Sequence, residues 1–295
     1  MKLITFTYHG MTRPGIVIGD EDLFDVATVP DLPQDMIGLL EAGVPALDRL
    51  REYREYIARG GGRLSLSQVH LEAPVKRPPK FLAIGLNYAD HIEETGRERP
   101  EFPTFFNKQP TCVNGPYDPI HRPRVSNQLD YEGELGFVIG RRCRHVPKER
   151  AHEVIAGYLI VNDISVRDWQ ARAPTITLGK SFDTHGPMGP WIVTPDEIDG
   201  DPHTLDLRTL VNGQIRQSSN TRHMIFDCFD QVAILSTVFT LEPGDIISTG
   251  TCSGVGVKMI PCGYLKVGDR VRVEIDGIGY IENLVVEEPA DTVRL

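Results

Sequence analysis

The sequence predicts a β-rich α+β fold, with a small N-terminal α+β domain over residues 1–73 and a larger β-rich domain over residues 74–295. Three observations carry that expectation. Short apolar or alternating runs bounded by Gly, Pro and Asp recur along the chain, the pattern of strands and turns. Only one long stretch shows a helical period. Strand and helix patterns do not alternate regularly, which argues against a TIM barrel or a doubly wound parallel sheet.

Leu3 to Tyr8, Gly15 to Ile18 and Leu23 to Val29 read as strands separated by Gly and Asp turns. From about Gln34 to Arg59 the period changes. Met36, Leu39, Leu40, Val44, Leu47, Leu50, Tyr53 and Ile57 recur at helical spacing, as on one face of an amphipathic helix. Gly60-Gly61-Gly62 ends that pattern, and Pro74 with Pro78-Pro79 forms a joint before the apolar run Phe81 to Ile84, where the domain boundary falls. Beyond it, candidate strands are Glu134 to Ile139, Tyr158 to Asn162, Trp191 to Thr194, Leu205 to Val211, Asp245 to Thr249, Arg270 to Ile275 and Tyr280 to Val286. Helical patterns are confined to Lys148 to Ala156 and Ile225 to Phe239. There is no repeat of solenoid period and no low-complexity tract.

With 295 residues, 40% of them hydrophobic, the chain can bury a substantial core. Lys plus Arg is 31 and Asp plus Glu is 41, a formal charge of −10. That balance lacks the basic footprint of a nucleic-acid binder and disfavours anionic membrane surfaces. No apolar run approaches the roughly 20 residues that span a bilayer. The first residues lack the apolar core of a signal peptide. The five cysteines (112, 143, 228, 252 and 262) form no CxxC and are odd in number, so reduced thiols and a cytoplasmic location are expected.

The strongest chemical signal is Leu129-Asp130-Tyr131-Glu132-Gly133-Glu134-Leu135-Gly136-Phe137. In one continuous strand, Leu129, Tyr131, Leu135 and Phe137 share a face, and Asp130, Glu132 and Glu134 share the other. Carboxylates at i and i+2 then sit about 7 Å apart. Facing a core they repel each other and resist desolvation, and a divalent cation resolves both problems. Asp163, ending the apolar run Tyr158 to Asn162, is a third candidate ligand. An all-oxygen set suits a hard ion: Mg²⁺, Mn²⁺ or Ca²⁺. The same spacing also fits the solvated face of an edge strand, and spacing alone leaves both readings open.

If Asn87 to Glu94 is helical, His91 and Glu94 lie at i and i+3 on one face. A carboxylate accepting one imidazole N–H raises the basicity of the other nitrogen, which makes a general base for water; a surface helix with incidental charges is the alternative. The polar Gly96 to Pro100 stretch that follows suits a lid. Arg167, Gln170 and Lys180 follow Asp163. Lys180, between Gly179 and Ser181, suits a substrate carboxylate or a developing enolate, unless it is simply solvated or ion-paired. Thr249 to Gly256 is a glycine-rich turn able to cradle an anion, but it does not match a nucleotide-binding loop. His9, His70, His121, His145 and His203 lack a carboxylate-rich context, and Cys112, Cys143, Cys228 and Cys262 read as packing thiols.

In order, Gly85-Leu86-Asn87-Tyr88-Ala89-Asp90-His91, Asp130-Tyr131-Glu132-Gly133-Glu134-Leu135, Asn162-Asp163-Ile164-Ser165, Gly179-Lys180-Ser181-Phe182-Asp183 and Thr249-Gly250-Thr251 resemble the fumarylacetoacetate hydrolase family, across about residues 80–286. The resemblance implies a mixed β-sandwich roll around one divalent ion, in homodimers. It implies Glu132, Glu134 and Asp163 as ligands of Mg²⁺ or Mn²⁺, and His91 with Glu94 as a water-activating pair on a lid. Lys180 would meet the oxygen or carbanion that gathers charge. Arg167 and Gln170 would contact substrate, and Thr251 would hold its carboxylate end. One departure stands out: many relatives carry proline after Thr-Gly-Thr, where this chain has Cys252-Ser253. The implied reaction is hydrolytic C–C cleavage of a β-diketo acid, such as an acylpyruvate, to pyruvate and a carboxylic acid. Oxaloacetate decarboxylation and isomerisation or tautomerisation of 2-oxo diacids use the same enolate chemistry. A non-catalytic protein that holds a dicarboxylate through its metal is a rival of another class, against which His91, Glu94 and Lys180 speak.

Overall fold

The computed structural model describes residues 1–53, 56 and 60–292. Its strands begin with β1 (Lys2–Tyr8), β2 (Met11–Ile18), β3 (Asp22–Asp25), β4 (Arg63–Ser65) and β5 (His70–Glu72). After the Pro-rich joint come β6 (Phe81–Gly85), β7 (Thr104–Lys108), β8 (Val113–Asn114), β9 (Ile120–Arg122), β10 (Leu129–Asp130), β11 (Gly133–Ile139) and β12 (Ile155–Asn162). The last are β13 (Ser165–Val166), β14 (Gly186–Val193), β15 (Asp206–Val211), β16 (Gln214–Asn220), β17 (Ile246–Ser248), β18 (Arg270–Ile275) and β19 (Gly279–Glu287). The helices are α1 (Met36–Glu52), α2 (Ala89–Thr95), α3 (Arg167–Gln170), α4 (Thr177–Lys180) and α5 (Cys228–Val238).

The largest sheet runs β4-β3-β2-β1-β14-β12-β11-β17-β6-β7. Pairs along that path are antiparallel except β17 with β6, which are parallel. Because β1 pairs with β14, Leu3 opposite Ile192, the strands of residues 1–73 continue the same sheet as those beyond the joint. A second sheet runs β16-β15-β18-β19-β9. Leu135, Phe137 and Ile160 of the first sheet share one core with Leu207, Val273 and Ile281 of the second. The architecture is therefore sheet-rich and mixed, with two sheets packed through a common apolar layer rather than closed into a barrel. All seven residues of β11 are buried, as expected of a central strand covered on both faces. No helix among the described residues is long and apolar enough to cross a membrane.

Four expectations change. The period over Gln34 to Arg59 is not one helix: Gly43 breaks α1 at φ 61°, ψ −148°. Glycine reaches that region without a Cβ clash, and Pro45 behind it suits the first turn of a new helix because it lacks an N–H. Val44, expected on the apolar face, is 65% exposed, and Ile57 lies outside the described residues. Lys148–Val154 is a 3₁₀ turn, because Ile155 and Ala156 belong to β12. Leu23 to Val29 stops being strand at Asp25, whose carboxylate accepts the Ala27 N–H at 3.0 Å and caps a tight turn. Finally, residues 129–137 are not one strand. The chain leaves β10, which pairs with β13, and enters β11, which pairs with β12. Between them, the Glu132 N–H turns to the side-chain oxygen of Asn162 at 3.1 Å.

His185 ties the loop before β14 to the second sheet. Its Nε2–H donates to the His121 carbonyl at 2.8 Å, while the ring is fully buried. Burial holds this imidazole down at about 3, against about 6.5 in an unfolded chain. Below pH 6.5 the unfolded chain takes up a proton that the folded chain refuses until about pH 3, so stability falls as pH falls through that window. In denaturant titrations with EDTA, His185→Gln should therefore close the stability gap to the parent by about 2 kcal/mol between pH 7 and pH 5. A gap independent of pH would contradict a neutral buried His185.

Candidate active site

Three carboxylates converge where the first sheet ends. Glu132 lies in the break between β10 and β11, Glu134 is the second residue of β11, and Asp163 follows β12. Antiparallel pairing sets Gly133 opposite Asn162, and the Asp163 N–H donates to the Glu132 carbonyl at 2.9 Å. One oxygen from each side chain lies within 4.8 Å of the others, and all three residues are buried. The solvated-edge reading of this motif is thereby excluded.

The surrounding cations divide unequally among them. Lys180, at the end of α4, places Nζ 2.6 Å from Glu132 Oε2 and 2.7 Å from Asp163 Oδ2. Arg167 Nη1 is 2.7 Å from Glu132 Oε1, and Lys108 Nζ is 2.5 Å from Asp163 Oδ1. Among the described residues Glu134 has neutral donors only: the Ser248 hydroxyl at 2.5 Å and the Gly250 N–H at 2.8 Å, both on Oε2. Burial raises the pKa of both glutamates. At Glu132 the charges of Lys180 and Arg167 outweigh it and hold the carboxyl at about 2. At Glu134 burial is reinforced by the charges of Asp163 and Glu132, which push it well above the carboxylate range. Asp130, Glu132, Glu134 and Asp163 thus face Arg167, Lys108 and Lys180, one cation short of neutrality with Glu134 ionised. An oxygen-only, buried and under-compensated set fits a hard divalent cation.

A neighbouring imidazole–carboxylate pair is preassembled. His91 and Glu94 lie on α2, with Nδ1 3.0 Å from Glu94 Oε2. Glu94 Oε1 also accepts the Gly254 N–H at 2.9 Å, which fastens α2 to the glycine-rich turn. Asn87 anchors the start of α2 by donating to the Thr249 carbonyl at 2.7 Å. Gly96 ends the helix at φ 68°, a conformation that favours glycine. His91, Arg167 and Gln170 line one cavity of about 320 Å³. Gln170 Oε1 accepts from Arg167 Nη1 at 3.0 Å, while Arg167 Nη2 is buried without a partner among the described residues.

Thr251 sits apart from that wall. Its hydroxyl donates to the Gly133 carbonyl at 2.9 Å and accepts from Gln217 at 2.8 Å, so it ties the turn to β11 and β16. A substrate carboxylate would compete with the Gly133 carbonyl for the hydroxyl proton. Cys252 turns into the apolar core, where burial pushes its thiol up. One charged residue, Lys108, escapes sequence reasoning, which also places Asp130 on the wrong face. Lys108 is fully buried, and its ammonium also donates to the Lys180 and His185 carbonyls. A lone lysine closing the strand-like Thr104 to Asn107 run was its only signal. Asp130 does not join the triad. It accepts Arg167 Nε at 2.8 Å and the Gly256 and Val257 N–H groups at 2.8 and 2.9 Å.

Residues 80–286 match the family model described as fumarylacetoacetate (FAA) hydrolase C-terminal. Among solved structures, a fumarylacetoacetate hydrolase from psychrophilic Exiguobacterium antarcticum is 37% identical at a TM-score of 0.84. Maleylpyruvate hydrolase from Sphingobium sp. SYK-6, in complex with manganese(II) ion and pyruvate, is 36% identical at 0.79. A 5-carboxymethyl-2-hydroxymuconate delta-isomerase from Mycobacterium smegmatis is 35% identical at 0.78. Each similarity covers 98% of this chain and 100% of the other. With this fold and most of its length matched, the chain belongs to the fumarylacetoacetate hydrolase family.

Proposed function

We propose that this protein is a divalent-metal-dependent hydrolase that cleaves a C–C bond of an acylpyruvate-like β-diketo acid, releasing pyruvate and a carboxylic acid. The observation that carries the proposal is the His91–Glu94 pair beside a buried, under-compensated carboxylate triad. Family neighbours support an enzyme of hydrolase or isomerase type acting on a small molecule. The manganese(II) ion and pyruvate in the Sphingobium enzyme support both the metal and the product.

Glu132, Glu134 and Asp163 would hold the cation, Mg²⁺ or Mn²⁺. When bound, it supplies a Lewis acid for the 2-oxo acid end of the substrate and for enolate charge. The rest falls to side chains. Glu94 accepts the Nδ1–H of His91, which leaves Nε2 a lone pair directed to a proton of water. The resulting hydroxide attacks the distal carbonyl, and the imidazolium is stabilised by Glu94. As the C–C bond breaks, Lys180 stands next to the charge that develops on the pyruvate enolate. Arg167, with Nη2 unpaired among the described residues, and Gln170 orient the substrate carboxylate. Protonation of the enolate at carbon gives pyruvate.

A second reading, isomerisation or tautomerisation of a 2-oxo diacid, is favoured by the isomerase neighbour. Oxaloacetate decarboxylation would also use Lys180 but needs no attacking water. Stoichiometry with acetylpyruvate and oxaloacetate, in Mg²⁺, Mn²⁺ or EDTA, separates these reactions. One acid per pyruvate means hydrolysis, and CO₂ release means decarboxylation.

Asp163→Ala should abolish stoichiometric metal and lower acetylpyruvate cleavage by more than about 100-fold. Full metal content by elemental analysis, together with parental activity, would refute the triad as the metal site. His91→Ala should retain the metal and lose about 10²- to 10⁴-fold in hydrolysis. Parental hydrolysis in that variant would remove the water-activating role.

A further inference from the structure

The wall of the His91 cavity is graded in polarity and exposure. His91 is buried, and Arg167 is half-buried and paired with Glu132 of the triad. Half-buried Leu86 and Ile176, with Val255 and Val257, form an apolar stretch. Arg97, just beyond the Gly96 end of α2, and Lys258, two residues beyond Gly256, stand at the exposed rim. Among the described residues no carboxylate lines this cavity. Nor, among those residues, does either rim cation find a hydrogen-bond or ion-pair partner for its side chain, whereas Arg167 has two carboxylates. In a chain of formal charge −10, such a rim is a local reversal of sign.

Resting on the 2-oxo acid reaction above, we infer that Arg97 and Lys258 select a substrate with a second carboxylate at its far end. The occupant is a 2-oxo diacid whose carbon chain lies along Leu86, Ile176, Val255 and Val257. Its oxo-acid end is at Arg167 and its distal carboxylate at the rim. The two cations are specificity-determining, since they meet the end of the molecule that does not react. They sit in solvent, so their attraction is screened by salt over about 8 Å at physiological ionic strength.

A matched pair of compounds tests this: a 2,4-dioxo diacid and its distal methyl ester, assayed for pyruvate release by the metal-loaded enzyme. The diacid should be favoured about tenfold in kcat/KM, mainly through KM. Raising NaCl from about 50 mM to about 500 mM should shrink that preference. The double substitution Arg97→Gln, Lys258→Gln should bring the ratio near one. Equal cleavage of both compounds by the parent overturns the inference while leaving the reaction standing. So does a preference that survives both salt and the double substitution. Cleavage of neither overturns the reaction itself and this inference with it. The salt series uses the unsubstituted protein, so should the double variant fail to fold, a preference unmoved by salt is enough to overturn the inference.

Discussion

The arrangement depends on one electrostatic constraint: four buried carboxylates stand close together among buried Lys108 and Lys180 and half-buried Arg167. Isolated charges at such depth resist desolvation strongly, and removing one partner leaves another uncompensated. Each carboxylate therefore needs a named neighbour. Asp130 has Arg167 and three backbone N–H groups, Glu132 has Lys180 and Arg167, and Asp163 has Lys180 and Lys108. Of the four, Glu134 alone has no cation paired with it among the described residues, which is where an additional positive charge is most strongly favoured.

The fold meets this constraint at strand ends, with Glu132 between β10 and β11, Glu134 in β11 and Asp163 just after β12. The change of partner between β10 and β11 sends Asp130 towards the glycine-rich turn and Glu132 towards the triad. β7 delivers Lys108, whose three donors meet Asp163 and the carbonyls of Lys180 and His185. One ammonium thus fixes a proposed ligand and the helix end that carries the second lysine. On the opposite side, the Gly254 N–H holds Glu94 while Glu94 holds His91. Scaffold and reactive groups share the same hydrogen bonds, so a small displacement of the turn would be felt at the imidazole.

A buried charge cluster able to accept an enolate would serve hydrolysis and isomerisation alike, whereas attack by water needs a base at the cavity wall. In the proposed mechanism His91 would meet that need through its i,i+3 contact with Glu94. The cations at the cavity rim act on a different part of the substrate, so its selection and the chemistry are physically separable.

Local patterns carried much of this into the sequence. Strand-forming runs, the Glu-x-Glu motif and the His91–Glu94 spacing follow from periods of two and about 3.6 residues, and they were legible without coordinates. Contacts between distant segments were not. Lys108 meets Asp163 across 55 residues, and no spacing rule marks a lone lysine as the buried partner of an aspartate. Gly43 interrupts an unbroken apolar period because a backbone angle, not hydrophobicity, ends the helix. Asp130 looked interchangeable with Glu132 and Glu134 until β10 paired with β13 and turned it towards Arg167. Sequence alone marked which residues can ionise and where most strand-forming runs lie. The tertiary structure decided which charges are buried together, because compensation of a buried charge is a property of three-dimensional proximity alone.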